Sequence, residues 1–241
     1  MSLLVADGIA MRFDGLAALE GIELCVDPGE IVGLIGPNGS GKTTLFNIIG
    51  GSLRPTAGRV VFAGEDITGL SPHAICRRGI AQAFQIAVPF RDLTAAEHVT
   101  IGCLFGRARR RPAPREARAE VRELLGLVGL AARTDARVRH LSLGELKRLE
   151  VAMALATRPR LLLLDEVLAG LSPASALEIM ALLKQVRDRG VTLFIIEHVV
   201  RAITDITQRV IVLDRGRVIA EGRPEAIVGD PRVIEAYLGD R

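Results

Sequence analysis

The chain has 241 residues, 49% hydrophobic and 24% charged, with 25 glycines and 11 prolines; it can bury a sizeable core and lacks the composition of a disordered chain. Lysine and arginine number 31 against 28 acids, and the net charge of +3 is too weak a bias to point to nucleic acid or an acidic partner. Three widely spaced cysteines, Cys25, Cys76 and Cys103, fit neither a disulfide framework nor paired zinc ligands, so a reducing compartment is expected.

The opening residues lack a basic segment and carry acids at Asp7 and Asp14. No stretch supplies the ~18 apolar residues of a spanning helix, so a soluble chain, neither secreted nor spanning, is expected. Short apolar or alternating runs at Leu3–Val5, Leu19–Val26 and Glu30–Ile35 predict strands, and Gly58–Phe62 with a turn at Gly64 predicts a further hairpin. After Lys42 the run TTLFNIIGG is apolar at helical spacing and opens out of a Gly-rich loop. Leu93–Leu104 and Arg115–Leu130 are helical in period, and the basic, proline-interrupted stretch Arg107–Glu116 between them reads as an exposed connection. Its arginines read as a solvated loop, with contact to anionic lipid head groups or a partner loop as the alternative. Helix Leu143–Thr157, buried strand Leu161–Leu164, helix Pro173–Arg187 and strands Val191–Ile196 and Val210–Leu213 follow. Strands alternating with helices imply an α/β fold with a mainly parallel sheet, preceded by an antiparallel β region and interrupted by a helical insertion. The expected division is an α/β core over 1–89 and 159–241 with a helical subdomain over 90–158, together one domain.

The strongest chemical signal is Gly36-Pro37-Asn38-Gly39-Ser40-Gly41-Lys42-Thr43-Thr44, a complete G-x-x-x-x-G-K-S/T between a predicted strand and a predicted helix. Glycines let backbone amides turn onto phosphate oxygens, the helix N-terminus adds partial positive charge, and Lys42 neutralises the β and γ phosphates. Thr43 offers a hydroxyl to Mg²⁺. The second acid such a site needs stands 123 residues after Lys42, where four leucines end in Asp165-Glu166 and a strand end carries carboxylates to the rim of an α/β sheet. Asp165 is placed to hold the metal and Glu166 to polarise an attacking water.

Leu141-Ser142-Leu143-Gly144-Glu145, lying before a helix and with Ser142 23 residues ahead of Asp165, resembles the signature sequence of ABC-transporter ATPases. The same residues also read as a helix N-cap with a capping box, and both readings can hold together. The resemblance implies that Ser142, Gly144 and Glu145 meet the ATP bound by the other protomer of a head-to-tail dimer. It implies that Gln85 is the Q-loop glutamine reaching Mg²⁺ and water, that His198, 32 residues after Glu166, is the switch histidine, and that Phe13 stacks on adenine. His73, His98 and His140 have no such support and read as surface or packing residues.

The sequence departs from the family's commonest pattern at Leu143 (usually glycine), Glu145 (often glutamine), Val167 (usually proline) and Ser172 (usually aspartate). The loss of charge at Ser172 bears on communication across the dimer, while Ser142, Gly144, Glu166 and His198 are intact, so an active ATPase is expected. Met11–Leu16, the extended loop around Arg109 and the closing segments Arg217–Gly222 and Asp230–Gly239 are similar to ATP-binding subunits of branched-chain amino acid importers; urea, amide and lipopolysaccharide transport ATPases resemble this tail too. The resemblance implies ATP and Mg²⁺ as cofactors and transmembrane permease subunits as partners. It also implies a second ATP-binding subunit, the same chain or a paralogue, an indirect link to a substrate-binding protein, and a cytoplasmic location at the inner face of the membrane. An ABC-type ATPase of nucleic acid is the less expected class, since there is one P-loop, no sustained heptad pattern and no metal spacing. The LSLGE segment and His198 argue against a P-loop kinase or GTPase.

Overall fold

The structure, a computed structural model, describes residues 1–83, 90–106, 113–197 and 200–238, the last from backbone alone over 200–202. It divides into two compact units, Met1–Ile75 with Thr192–Arg241, and Cys76–Val191.

The first unit begins with β1 (Leu4–Phe13) and β2 (Leu16–Val26). The expected strand at Leu3–Val5 runs on to Phe13, because Asp14 and Gly15, at φ 46° and 90°, make the two-residue turn that pairs Phe13 with Leu16. Next come β3 (Ile31–Ile35), α1 (Lys42–Ile49), β4 (Ala57–Phe62), the two-residue β5 (Glu65–Asp66) and α2 (Pro72–Arg78), which had no sequence signal beyond Pro72. The antiparallel sheet has the order β2-β1-β4-β5.

The returning part of the chain adds β8 (Thr192–Ile196), α7 (Val200–Ile206), β9 (Arg209–Asp214), β10 (Arg217–Gly222), α8 (Pro224–Val228) and α9 (Pro231–Leu238). Strand β3 lies between β8 and β9, parallel to both, and β10 pairs antiparallel with β9. β3 and β8 are buried at every position, as expected of strands covered on both faces. Phe46 of α1 packs on Phe194 of β8 with ring centroids 4.9 Å apart. At the base of these strands Arg209 donates to Glu30, Glu221 and the Cys25 carbonyl.

The second unit holds β6 (Ile80–Ala83) parallel to β7 (Leu161–Asp165), with helices α3 (Ala95–Phe105), α4 (Pro114–Leu127), α5 (Leu143–Ala156) and α6 (Pro173–Asp188). α3 starts two residues later than its periodicity suggests, because Thr94 and Glu97 form a capping box. α4 closes at Leu127, where Gly129 at φ 72° turns the chain. Gly102 is required where α3 crosses α5, since a Cβ there would stand 2.5 Å from the Met153 carbonyl oxygen. Among the described residues no helix is long and apolar enough to cross a membrane. Cys25, Cys76 and Cys103 are free.

Candidate functional site

Strand β3 delivers the chain into the Gly36–Thr44 loop, and the loop's shape follows from three glycines at φ 151° (Gly36), 80° (Gly39) and 106° (Gly41). A Cβ on Gly36 would stand 2.0 Å from the Leu213 carbonyl oxygen, and one on Gly41 2.6 Å from a Leu19 methyl. The loop is thus pressed between the end of β9 and the start of β2. Gly39 has nothing within 4 Å of its absent side chain, so this is the open side. Ser40 is buried and its backbone carbonyl accepts from Gly216 N–H at 3.0 Å.

The Lys42 ammonium is buried in the loop, donating to the carbonyls of Gly36 and Pro37, each at 2.8 Å, and lying 3.4 Å from Ser40 Oγ. Gly41 caps α1 without a side-chain hydrogen bond, an arrangement in which the start of the helix can receive an anion. Thr43 is exposed at that turn. Phe13 is exposed at the β1 turn.

The closing segment reaches this loop, which the sequence did not signal. The phenol of Tyr237 on α9, partly exposed, has its pKa raised by partial burial, offset in part by the nearby Gly36 backbone. Periodicity and motif spacing carry no information about a contact spanning the whole length of the chain.

In the second unit Ser142 is the N-cap of α5. Its N–H donates to Glu145 Oε2 at 2.8 Å, and Glu145 N–H donates back to Ser142 Oγ at 3.3 Å. The Glu145 carboxylate pKa is lowered, first by the Ser142 backbone hydrogen bond and then by the Ser142 hydroxyl and the Arg133 and Arg148 charges. Arg133 Nε lies 3.0 Å from Glu145. Glu145 is therefore held ionised in the cap, and Gly144 is partly open in the first turn. Leu143, the departure from glycine, is exposed. Ser172, where aspartate is usual, caps α6 by accepting from Ser175 N–H at 3.3 Å.

Asp165 ends β7 and is buried; Glu166 follows at φ 51°, a left-handed conformation rare for a side-chain-bearing residue. The Glu166 carbonyl accepts from Ala169 N–H at 3.2 Å, so the chain turns sharply and the glutamate leaves the line of the strand. This strain has no signature in residue identity. Gln85 and His198, and the loop around Arg109, lie outside the described residues. Of the other histidines, His98 is buried against Phe90 with ring centroids 6.0 Å apart, a packing residue, and its pKa is lowered by burial.

A loop of positive-φ glycines around a buried lysine, opening an uncapped helix after a buried strand, has the geometry of a phosphate cradle, and the chain's family follows from comparison with known proteins. The ABC transporter family profile matches residues 19–169, and that of the branched-chain amino acid ATP-binding cassette transporters matches residues 217–241. The chain belongs to the ABC transporter family. It is 37% identical over 250 residues to the high-affinity branched-chain amino acid transport ATP-binding protein BraF of Pseudomonas aeruginosa, covering 99% of this chain and 98% of that one. It is 36% identical to the lipopolysaccharide export system ATP-binding protein LptB of Haemophilus influenzae, covering 100% and 99%. The crystal structure of the ADP conformation of an ATP-binding cassette of an ABC transporter superposes with a TM-score of 0.91 at 32% identity, with 100% of both chains covered. The fold is thus the P-loop α/β fold of ABC cassettes, and the chain is an ATP-binding ATPase of that family.

Proposed function

We propose that this ABC ATPase powers an importer of branched-chain amino acids or related small polar solutes. It acts as a head-to-tail dimer, with a second copy or a paralogue, beneath transmembrane permease subunits at the inner face of the cell membrane, and a substrate-binding protein delivers the solute. The observation that carries the nucleotide role is the Gly36–Thr44 loop, with its three positive-φ glycines and a buried Lys42 ammonium on loop carbonyls. The solute class is supported by the family match over 217–241 and by relatives such as BraF. Lipopolysaccharide export is the second reading, favoured by LptB relatives at 36% and 38% identity over nearly the whole chain.

In this reading Lys42 exchanges loop carbonyls for the β and γ phosphates, and the amides of Gly39 to Thr44 hold the phosphate oxygens. Phe13 stacks on adenine, and Pro37, Asn38 and Ser40 shape the loop. Thr43 and Asp165, with Gln85, are hard oxygen donors of the kind Mg²⁺ takes. Among the described residues no three His, Cys, Asp or Glu side chains gather, which suits a metal held largely by phosphate and water. When bound, Mg²⁺ neutralises phosphate charge. Glu166 polarises the attacking water, His198 meets the γ-phosphate, and Ser142, Gly144 and Glu145 present the α5 N-terminus to the nucleotide of the partner. Residues 90–158 are the helical subdomain and 1–89 with 159–241 the α/β core.

The test is ATP hydrolysis against protein concentration for wild type, Ser142→Arg and Glu166→Gln. Activity that rises faster than linearly and is lost in both variants is expected. Rates proportional to concentration where the protein is monomeric, and indifferent to Ser142, would overturn the composite site.

A further inference from the structure

Helix α4 sorts its charges by face. Glu116, Glu120 and Glu123 fall on one stripe, and Arg115, Arg118 and Arg122 on another about 60° wide. The acids are engaged: Glu116 caps the Ala113 N–H at 2.8 Å, Glu120 takes two bonds from Arg158 at 2.8 Å, and Glu123 lies 3.0 Å from Arg189. The three arginines are exposed and have no ion pair among the described residues. Arg118 and Arg122 are like charges one turn apart, an arrangement that destabilises a helix. Alternating signs would have stabilised α4; this stripe does not.

These arginines line a groove of about 620 Å³ between α4, α3 and the turn at Thr134. Its lining among the described residues contains no acid and no aromatic ring, so it suits neither a cation nor a stacked nucleobase. Thr100 and Thr134 donate their hydroxyl protons to the Ala96 and Ala131 carbonyls at 2.7 and 2.8 Å, so the side-chain donors left facing the groove are guanidinium forks. Such forks match phosphate oxygens in pairs. Val121 and Ala96 supply an apolar wall.

We propose that this groove binds the phosphate-bearing head group of an anionic phospholipid, fixing the helical unit against the membrane surface. The proposal rests on the reading that the chain works beside permease subunits. Charge complementarity to an anionic leaflet and an apolar wall for the glycerol backbone favour a lipid over a free anion.

The experiment is flotation of the purified chain with vesicles of phosphatidylcholine alone and of phosphatidylcholine mixed with phosphatidylglycerol, with ATP hydrolysis measured in solution on the same samples. Retention is expected on the mixed vesicles only, weakening with salt. At about fivefold per cation near an anionic surface, Arg118→Gln/Arg122→Gln should lower the partition coefficient about 30-fold. Arg59→Gln/Arg232→Gln, which removes the same charge from exposed sites of the other unit, should lower it far less. Equal loss in both double variants, or equal retention on both vesicles, would overturn the site. So would binding of glycerol 3-phosphate or of an acidic peptide that depends on Arg118 and Arg122 in a chain that no vesicle retains. Failed flotation with intact hydrolysis refutes the lipid site alone; lost hydrolysis with intact flotation refutes the ATPase assignment alone.

Discussion

Ser142 has one role in the fold and a second in the proposed dimer, and substitutions can separate them. As N-cap of α5 it accepts from Glu145 N–H at 3.3 Å, the long end of the hydrogen-bond range, while the reciprocal bond to Glu145 is 2.8 Å. Replacing it with alanine removes only the longer bond and should cost about 1 kcal/mol or less, a fall of roughly 2–4 °C in unfolding midpoint for a chain of this size. Ser142→Gly should cost a few tenths. Ser142→Asp keeps the cap, because aspartate caps as well as serine and its charge suits the helix N-terminus. In the proposed composite site, however, that carboxylate would face a phosphate: at 4 Å and an effective dielectric of 20 the repulsion is about 4 kcal/mol, close to a 1,000-fold loss of turnover. Thermal unfolding and steady-state ATP hydrolysis on the three variants make the comparison. Turnover by folded Ser142→Asp within tenfold of wild type, or activity that tracks stability across all three, would reduce Ser142 to a cap.

Two further predictions concern groups whose cost is readable from their surroundings. Burial within α5 pushes the Glu150 carboxyl up to about 7, against the favourable Lys147 charge 3.9 Å away. The folded chain then holds a proton that the unfolded chain releases, so stability should fall as pH rises from about 4.5 to 7 and level off on either side. The full shift would amount to about 3 kcal/mol, and partial solvent access trims it to about 1–2 kcal/mol. Glu150→Gln should abolish this slope and be the more stable protein at pH 8; parallel pH–stability curves would refute the assignment. For the phosphate loop, Gly36→Ala places a Cβ 2.0 Å from the Leu213 carbonyl oxygen and should cost about 3 kcal/mol or more in urea unfolding. Gly39→Ala, with nothing within 4 Å, should cost only the left-handed backbone term of about 1–2 kcal/mol; equal losses would mean that β9 does not clamp the loop.

The phosphate loop was legible because its chemistry forces its sequence. Glycine adopts φ of 151°, 80° and 106° at three places in six residues without strain, and a lysine at that offset curls onto the Gly36 and Pro37 carbonyls. The alternating strands and helices were legible for a similar reason, since periods of 2 and 3.6 follow from backbone geometry. What stayed hidden depends on tertiary context. β1 runs past Val5 because a partner strand pairs with it. α2 forms without a clear apolar stripe, and Glu166 takes φ 51° because of what surrounds it.

The departures at Leu143 and Ser172 show how far local physics replaces family pattern. Ser172 lacks the aspartate charge yet caps α6 through Ser175 N–H, a job that aspartate and serine do equally well. Helix geometry therefore survives the substitution, and the change falls on whatever the missing charge would have met across the dimer. Leu143 stands exposed at the first position of α5, where a side chain meets no intrahelical restraint and the cap bonds of Ser142 and Glu145 are untouched. Ser172 still supplies the side-chain oxygen that caps α6, and Leu143 takes no part in the α5 cap, which Ser142 and Glu145 hold. Ser142 is different: in the proposed dimer its hydroxyl must satisfy the Glu145 amide and also approach a phosphate, two demands that only a short neutral oxygen meets together.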